Sequence, residues 1–115
     1  MSELALHNAV ASYLHVMLPA NAYFTTFPAG GGGRTRGGKL KRMGLKPGFP
    51  DLIVFWKSVA ILFELKTAKG RLSEAQEQTH MELQRAGVFV YVCRSLADVE
   101  SVLRNLHVPL RGALA

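Results

Sequence analysis

Residues 46–70, KPGFPDLIVFWKSVAILFELKTAKG, decide how this chain folds. Two apolar runs, DLIVFW (51–56) and VAILFELK (59–66), are separated only by Lys57 and Ser58. Runs of this length, rich in β-branched and aromatic residues, read as strands, and so short a spacer makes a hairpin the economical connection. With the turn centred between Lys57 and Ser58, Trp56 opposes Val59, Val54 opposes Ile61 and Asp51 opposes Glu64. Opposed residues share a face with Cβ atoms about 5 Å apart, close enough for one cation to bind both carboxylates. Lys66, two residues beyond Glu64, falls on that same face. The other face, Leu52, Val54, Trp56, Ile61, Phe63 and Leu65, is wholly apolar, and the inner part of the charged face is Ile53, Phe55, Ala60 and Leu62. Both faces are therefore expected to be covered, with the charges at one end of the sheet. Lys-Ser lacks the Asn-Gly or Asp-Gly chemistry of a tight turn, so a four-residue turn on the same centre serves equally well. An odd-length loop would place Asp51 against the wrong face.

Outward from the hairpin, residues 2–18 carry Leu4, Ala5, Val10, Ala11, Leu14, Val16, Met17 and Leu18 as an approximate helical stripe, with Ser2 as N-cap and Pro19 as stop. NAYFTTFPA (21–29) reads as a short extended strand closed by Pro28. The segment 29–48 is dominated by glycine, which does not anchor a core but suits a surface loop. Beyond the hairpin, Gly70 ends the second strand. Residues 73–87 then read as a helix with Ser73 as N-cap, Gln76 completing a capping box and Gly87 just past the end. VFVYVC (88–93) is expected to be a third buried strand, and residues 95–106 a capped helix with Ser95 and Asp98, stopped near His107 and Pro109. The order α, β, β-hairpin, α, β, α predicts an α/β fold, a central mixed β-sheet flanked by helices, as one domain over residues 1–115.

Fourteen Lys and Arg against eight Asp and Glu leave a formal charge of +6, a balance that suits polyanionic partners such as nucleic acid. Its distribution is more informative. No acid lies between Glu3 and Asp51, while Arg34, Arg36, Lys39, Lys41, Arg42 and Lys46 crowd the glycine-rich segment. That segment is expected to contact nucleic acid; the plainer alternative is a solvated basic loop. The lone Cys93 has no intrachain partner and sits in an apolar run, so it reads as a small core residue of a protein in a reducing, cytoplasmic setting. No run approaches the roughly 18 apolar residues of a membrane helix, so no membrane association is expected.

Two opposed carboxylates and a lysine at a strand end suit divalent-metal phosphodiester cleavage, because Mg²⁺ takes oxygen ligands and a nearby cation shares charge with the phosphate. Separate structural explanations exist: Asp51 after Pro50 as a turn initiator, Glu64 and Lys66 as an edge-strand pair. His7, His15, His80 and His107 show no paired ligand spacing beyond His7 and His15, two helical turns apart, and read as surface or core residues.

Taken in order, Gly48-Phe49-Pro50-Asp51, Glu64-Leu65-Lys66 and Gly70-Arg71-Leu72-Ser73-Glu74-Ala75-Gln76 resemble the PD-(D/E)xK nuclease superfamily and, within it, the VRR-NUC family. The resemblance runs from Glu3 to about Arg94 and implies a restriction-endonuclease-like core. It also implies that Asp51, Glu64 and the Leu65 main-chain carbonyl bind Mg²⁺ or Mn²⁺, with Lys66 and Gln76 as catalytic residues and Glu3 as the acid from the first helix. Gln76 has a capping role that needs no catalysis, and Glu3 a structural one at the helix dipole. Thr67, Lys69 and Arg71 follow the active strand, where they either touch phosphate or form a solvated turn; Lys69 joins the basic loop as a candidate DNA contact.

The expectation is a metal-dependent, structure-specific DNA endonuclease. Stand-alone members of the family, of prokaryotic or phage-like context, resemble Holliday junction resolvases, which implies branched DNA and a homodimer with two opposed active sites. Flap trimming, end trimming or nicking by the same fold is one alternative. Another is a non-catalytic nucleic-acid-binding module, and a third is a domain serving a separate partner.

Overall fold

The computed structural model describes residues 1–27 and 42–114. Those residues form helix α1 (Glu3–Met17), strands β1 (Ala22–Thr26), β2 (Leu52–Trp56) and β3 (Val59–Leu65), helix α2 (Glu74–Arg85), strand β4 (Val90–Cys93) and helix α3 (Leu96–Asn105). The strands make one mixed sheet in the order β1-β2-β3-β4. The β1–β2 and β2–β3 pairs are antiparallel and β3–β4 is parallel, with α2 as the crossover that parallel neighbours require.

The hairpin takes the register expected from its sequence: Leu52 opposes Phe63, Val54 opposes Ile61 and Trp56 opposes Val59. The turn is the two-residue form. Lys57 (φ 47°) and Ser58 (φ 65°) both occupy the left-handed region, a conformation that matches strand twist but disfavours side chains. The Lys57 ammonium lies 4.8 Å from the centre of the Trp56 ring, which returns part of that cost.

On the apolar face, Leu52, Val54, Ile61, Phe63 and Leu65 pack against Leu6, Val10 and Leu14 of α1 and Val99 and Leu103 of α3. This is the core. Ser2 caps α1 by accepting the Ala5 N–H at 3.0 Å, and Ser95 caps α3 by accepting that of Asp98 at 3.1 Å. Cys93 belongs to the same core, and burial pushes its thiol up to about 12, which removes it from thiolate chemistry.

The charged face departs from expectation. Ile53 and Leu62 are buried, but Phe55 is 43% exposed and Ala60 is exposed; α2, the helix on this face, buries a single side chain fully, Thr79. Residues 88–93 are likewise not a buried strand throughout. β4 is an edge strand in which Cys93 alone is fully buried and Val92 is exposed, as is Phe89 just before it. No helix among the described residues is long and apolar enough to cross a membrane.

Candidate active site

The hairpin register fixes the site. Asp51 stands immediately before β2 and Glu64 is the penultimate residue of β3, so both lie at the same end of the pair. Asp51 is tied at both ends: its carbonyl accepts the Phe27 N–H at 2.9 Å, and its Oδ2 accepts the Leu65 N–H at 2.7 Å. The second bond turns the carboxylate onto the Glu64-Leu65-Lys66 segment. Glu64 points away from the core-facing Phe63 and Leu65, toward α2, and is 1% exposed. Lys66 is also buried, its N–H continuing the parallel ladder to the Cys93 carbonyl at 3.0 Å. Its Nζ lies 3.8 Å from Glu3 Oε1 in the first turn of α1. The sheet and α1 thus bring Asp51, Glu64, Lys66 and Glu3 together.

The remaining contacts come from one face of α2. The Ser73 hydroxyl accepts the Gln76 N–H at 3.1 Å while Gln76 Oε1 accepts the Ser73 N–H at 2.9 Å, a complete capping box. That bond sets which end of the Gln76 amide is which: with the oxygen committed to Ser73, Nε2 donates to Glu64 Oε2 at 3.3 Å. The capping box and the contact with Glu64 are made by the two ends of one amide. One turn on, His80 Nε2 lies 3.1 Å from Glu64 Oε1. The sequence leaves His80 as a surface or core residue; the i, i+4 spacing from Gln76 is the signal for its contact with Glu64, because it places both side chains on one helix face.

The helix itself is seated by the segment that delivers Asp51. Thr79 Oγ1 donates to the Pro47 carbonyl at 2.6 Å. Gly48 adopts φ +77°, and a Cβ there would meet the Ala75 carbonyl oxygen at 2.4 Å, so only glycine lets the chain pass this closely beneath the helix start.

The electrostatics of this cluster are strained. Burial, reinforced by a hydrogen bond to and the charge of Asp51, pushes Glu64 up to about 9, with Lys66 pulling the other way. Burial lowers His80 below its ordinary value. The two carboxylates, with the Leu65 carbonyl expected from the sequence, would make a hard, all-oxygen donor set of the kind Mg²⁺ or Mn²⁺ takes, and a divalent ion there would relieve the repulsion between the acids. Among the described residues, no three His, Cys, Asp or Glu side chains converge as a metal cage, so the carbonyl and solvent would complete the coordination.

The expected nucleic-acid contacts are less gathered. Arg34, Arg36, Lys39 and Lys41 lie outside the described residues. Arg42, Lys46 and Lys69 are exposed. Arg94, not singled out in the sequence, organises the turn after Lys66: its guanidinium donates to the carbonyls of Thr67 (2.6 Å), Ala68 (3.4 Å) and Gly70 (2.7 Å). Its own N–H is held by Asp98 Oδ2 at 2.8 Å, which ties this turn to the start of α3.

Two comparisons with known proteins found matches. The family model described as the VRR-NUC domain matches residues 34–97. A solved structure described as a VRR_NUC domain protein superposes with a TM-score of 0.71 at 22% identity, covering 90% of this chain and 86% of that one. No curated protein matches the chain.

Proposed function

The chain belongs to the VRR-NUC domain family, a nuclease-type domain whose substrate is nucleic acid, and from that premise we propose that it is a metal-dependent, structure-specific DNA endonuclease acting on four-way junctions. One observation carries the reading. A carboxylate buried to 1% exposure, Glu64, is held beside a second one, Asp51, with a buried lysine at the same strand end. An ion pair placed for folding alone would not stack two acids there, because the like charges raise the cost of burial.

Asp51, Glu64 and the Leu65 carbonyl would hold Mg²⁺ or Mn²⁺. When bound, such an ion supplies a more acidic water and a Lewis acid for the phosphate. The rest is the work of side chains. Lys66, steadied by Glu3, presents an ammonium that orients the attacking water or shares the charge developing on the phosphate. Gln76 holds Glu64 in place. Arg42, Lys46 and Lys69, with the basic residues of the glycine-rich segment, supply phosphate contacts, which give affinity and orientation without sequence information. Shape is then the feature left to select, and a symmetric branched substrate calls for two copies of a one-site domain, a homodimer.

The test is cleavage of an end-labelled four-way junction beside a matched duplex and a flap, with Mg²⁺, Mn²⁺ or chelator, by wild type and Lys66→Ala. Paired junction cuts that need both metal and Lys66 are expected. Cuts confined to the flap or duplex would move the substrate to flap or end trimming, and no metal-dependent cutting of any substrate would leave a binding module.

A further inference from the structure

His80 has no assigned part in this site, yet it makes one of the two side-chain hydrogen bonds that α2 gives to Glu64. Its ring is 14% exposed, and its Nε2 faces Glu64 Oε1 at 3.1 Å while Gln76 Nε2 faces Oε2 at 3.3 Å. A buried carboxylate left free to rotate would lose a lone pair to every unproductive orientation. Two hydrogen-bonding side chains at fixed i, i+4 spacing on one helix face remove that freedom, provided the helix is itself fixed. It is: Thr79, beside His80, bonds the Pro47 carbonyl, and Gly48 packs under the first turn, four and three residues from Asp51. The same helix therefore meets the segment that delivers Asp51 and grips Glu64 directly.

On the reading of Asp51 and Glu64 as the metal-binding pair, we propose that His80 is a positioning residue. Its imidazole donates to Glu64 Oε1 and sets the carboxylate plane against Asp51, so that the two acids meet a divalent cation already oriented. His80 acts through Glu64 and is not itself a ligand, in keeping with the lack of a three-side-chain cage among the described residues. An imidazole is suited to the task because it supplies a hydrogen-bond donor without a fixed positive charge, whereas a lysine there would repel the incoming ion. Residues that orient metal ligands in this way contribute about 10–100-fold to metal affinity.

The experiment is calorimetric titration of MnCl₂ into the metal-free protein without DNA, for wild type, His80→Ala and His80→Gln. Circular dichroism at the titration temperature establishes that each variant is folded. The expected result is a Kd raised about 10–100-fold in His80→Ala and largely restored in His80→Gln, whose amide nitrogen reaches close to the position of Nε2. On a DNA substrate, the metal concentration for half-maximal cleavage rises in His80→Ala while kcat at saturating Mn²⁺ stays near wild type. A purely structural His80 would lower thermal stability and leave Kd alone. Equal Kd values for wild type and His80→Ala, or a glutamine variant as weak as the alanine one, would overturn the inference while leaving the metal site standing. Absence of binding by wild type would remove the metal reading and this inference together.

Discussion

Replacing Glu64 by glutamine, which removes a residue central to the proposed site, should stabilise the metal-free protein, by an amount that grows with pH. Glu64 is pushed from 4.5 up to about 9 in the folded chain by burial and by Asp51. Below pH 4.5 the carboxyl holds its proton both folded and unfolded, and nothing is lost. Between 4.5 and about 9 the unfolded carboxyl ionises while the folded one keeps its proton, so each pH unit subtracts about 1.4 kcal/mol from stability. At pH 7 the loss is roughly 3 kcal/mol, and it continues to grow until the folded group itself ionises. An amide has the same shape and does not ionise. His80 in its other tautomer accepts from the new amide nitrogen, and Gln76 still donates to the remaining oxygen, so both contacts survive the change.

Glu64→Gln should therefore raise the melting temperature in chelator at pH 7 by roughly 12–24 °C, taking about 4–8 °C per kcal/mol for a domain of this size. At pH 5 the gain should fall below about 1 kcal/mol. Adding millimolar Mn²⁺ should then stabilise wild type and leave Glu64→Gln unmoved, through the binding contribution that only an intact ligand pair provides. Thermal melts by circular dichroism at pH 5, 7 and 8.5 decide the matter. A variant no more stable than wild type at pH 8.5, or a gain that stays constant across pH, would refute the reasoning, because the strain would then not be that of a buried ionisable acid.

Three further outcomes follow from the structure and sequence. Gly48→Ala should cost about 3 kcal/mol, since it adds left-handed strain to a Cβ placed 2.4 Å from the Ala75 carbonyl oxygen, and an unchanged urea midpoint would contradict the close approach. Arg94→Ala should release the 67–70 turn at a cost of about 1 kcal/mol, raising KM for DNA several-fold with the Mn²⁺ Kd unchanged; loss of metal affinity instead would place Arg94 in a different role. Lys39→Ala combined with Lys41→Ala should weaken DNA binding most at low salt and reduce the slope of log affinity against log salt by about 2, and unaltered affinity at low salt would remove the glycine-rich segment from the interface.

The hairpin was legible because its register follows from two constraints that sequence displays openly: side-chain alternation and a spacer too short to slip. The turn was less so. Lys57 and Ser58 both take positive φ, at roughly 1 kcal/mol or more each, because the apolar pairs behind them demand a two-residue turn whatever occupies it. Coverage of the charged face was misread because apolar residues in a strand declare a preference for burial but not a supply of partners. The helix that reaches this face, α2, is polar along most of its length and buries only Thr79 fully, so Phe55 and Ala60 remain in contact with solvent.

That same polarity explains why α2 matters to the site. A helix held by an apolar stripe is positioned by packing that tolerates small slides, whereas α2 is positioned by discrete polar contacts with the two segments that carry the acids. Ser73 and Gln76 fix its start, Thr79 and Gly48 bind it to the approach to Asp51, and Gln76 and His80 bind it to Glu64. The hydrogen bonds among these are short-ranged and directional, so they hold in place the Glu64 carboxylate that the hairpin register has set beside Asp51. His80 is hard to single out in the sequence for a related reason: its spacing to the other histidines carries no signal, and its spacing to Gln76, four residues earlier, does. A family motif marks the residues expected to touch the ion, and the residues that aim them become visible once the helix face they share is placed against the strand.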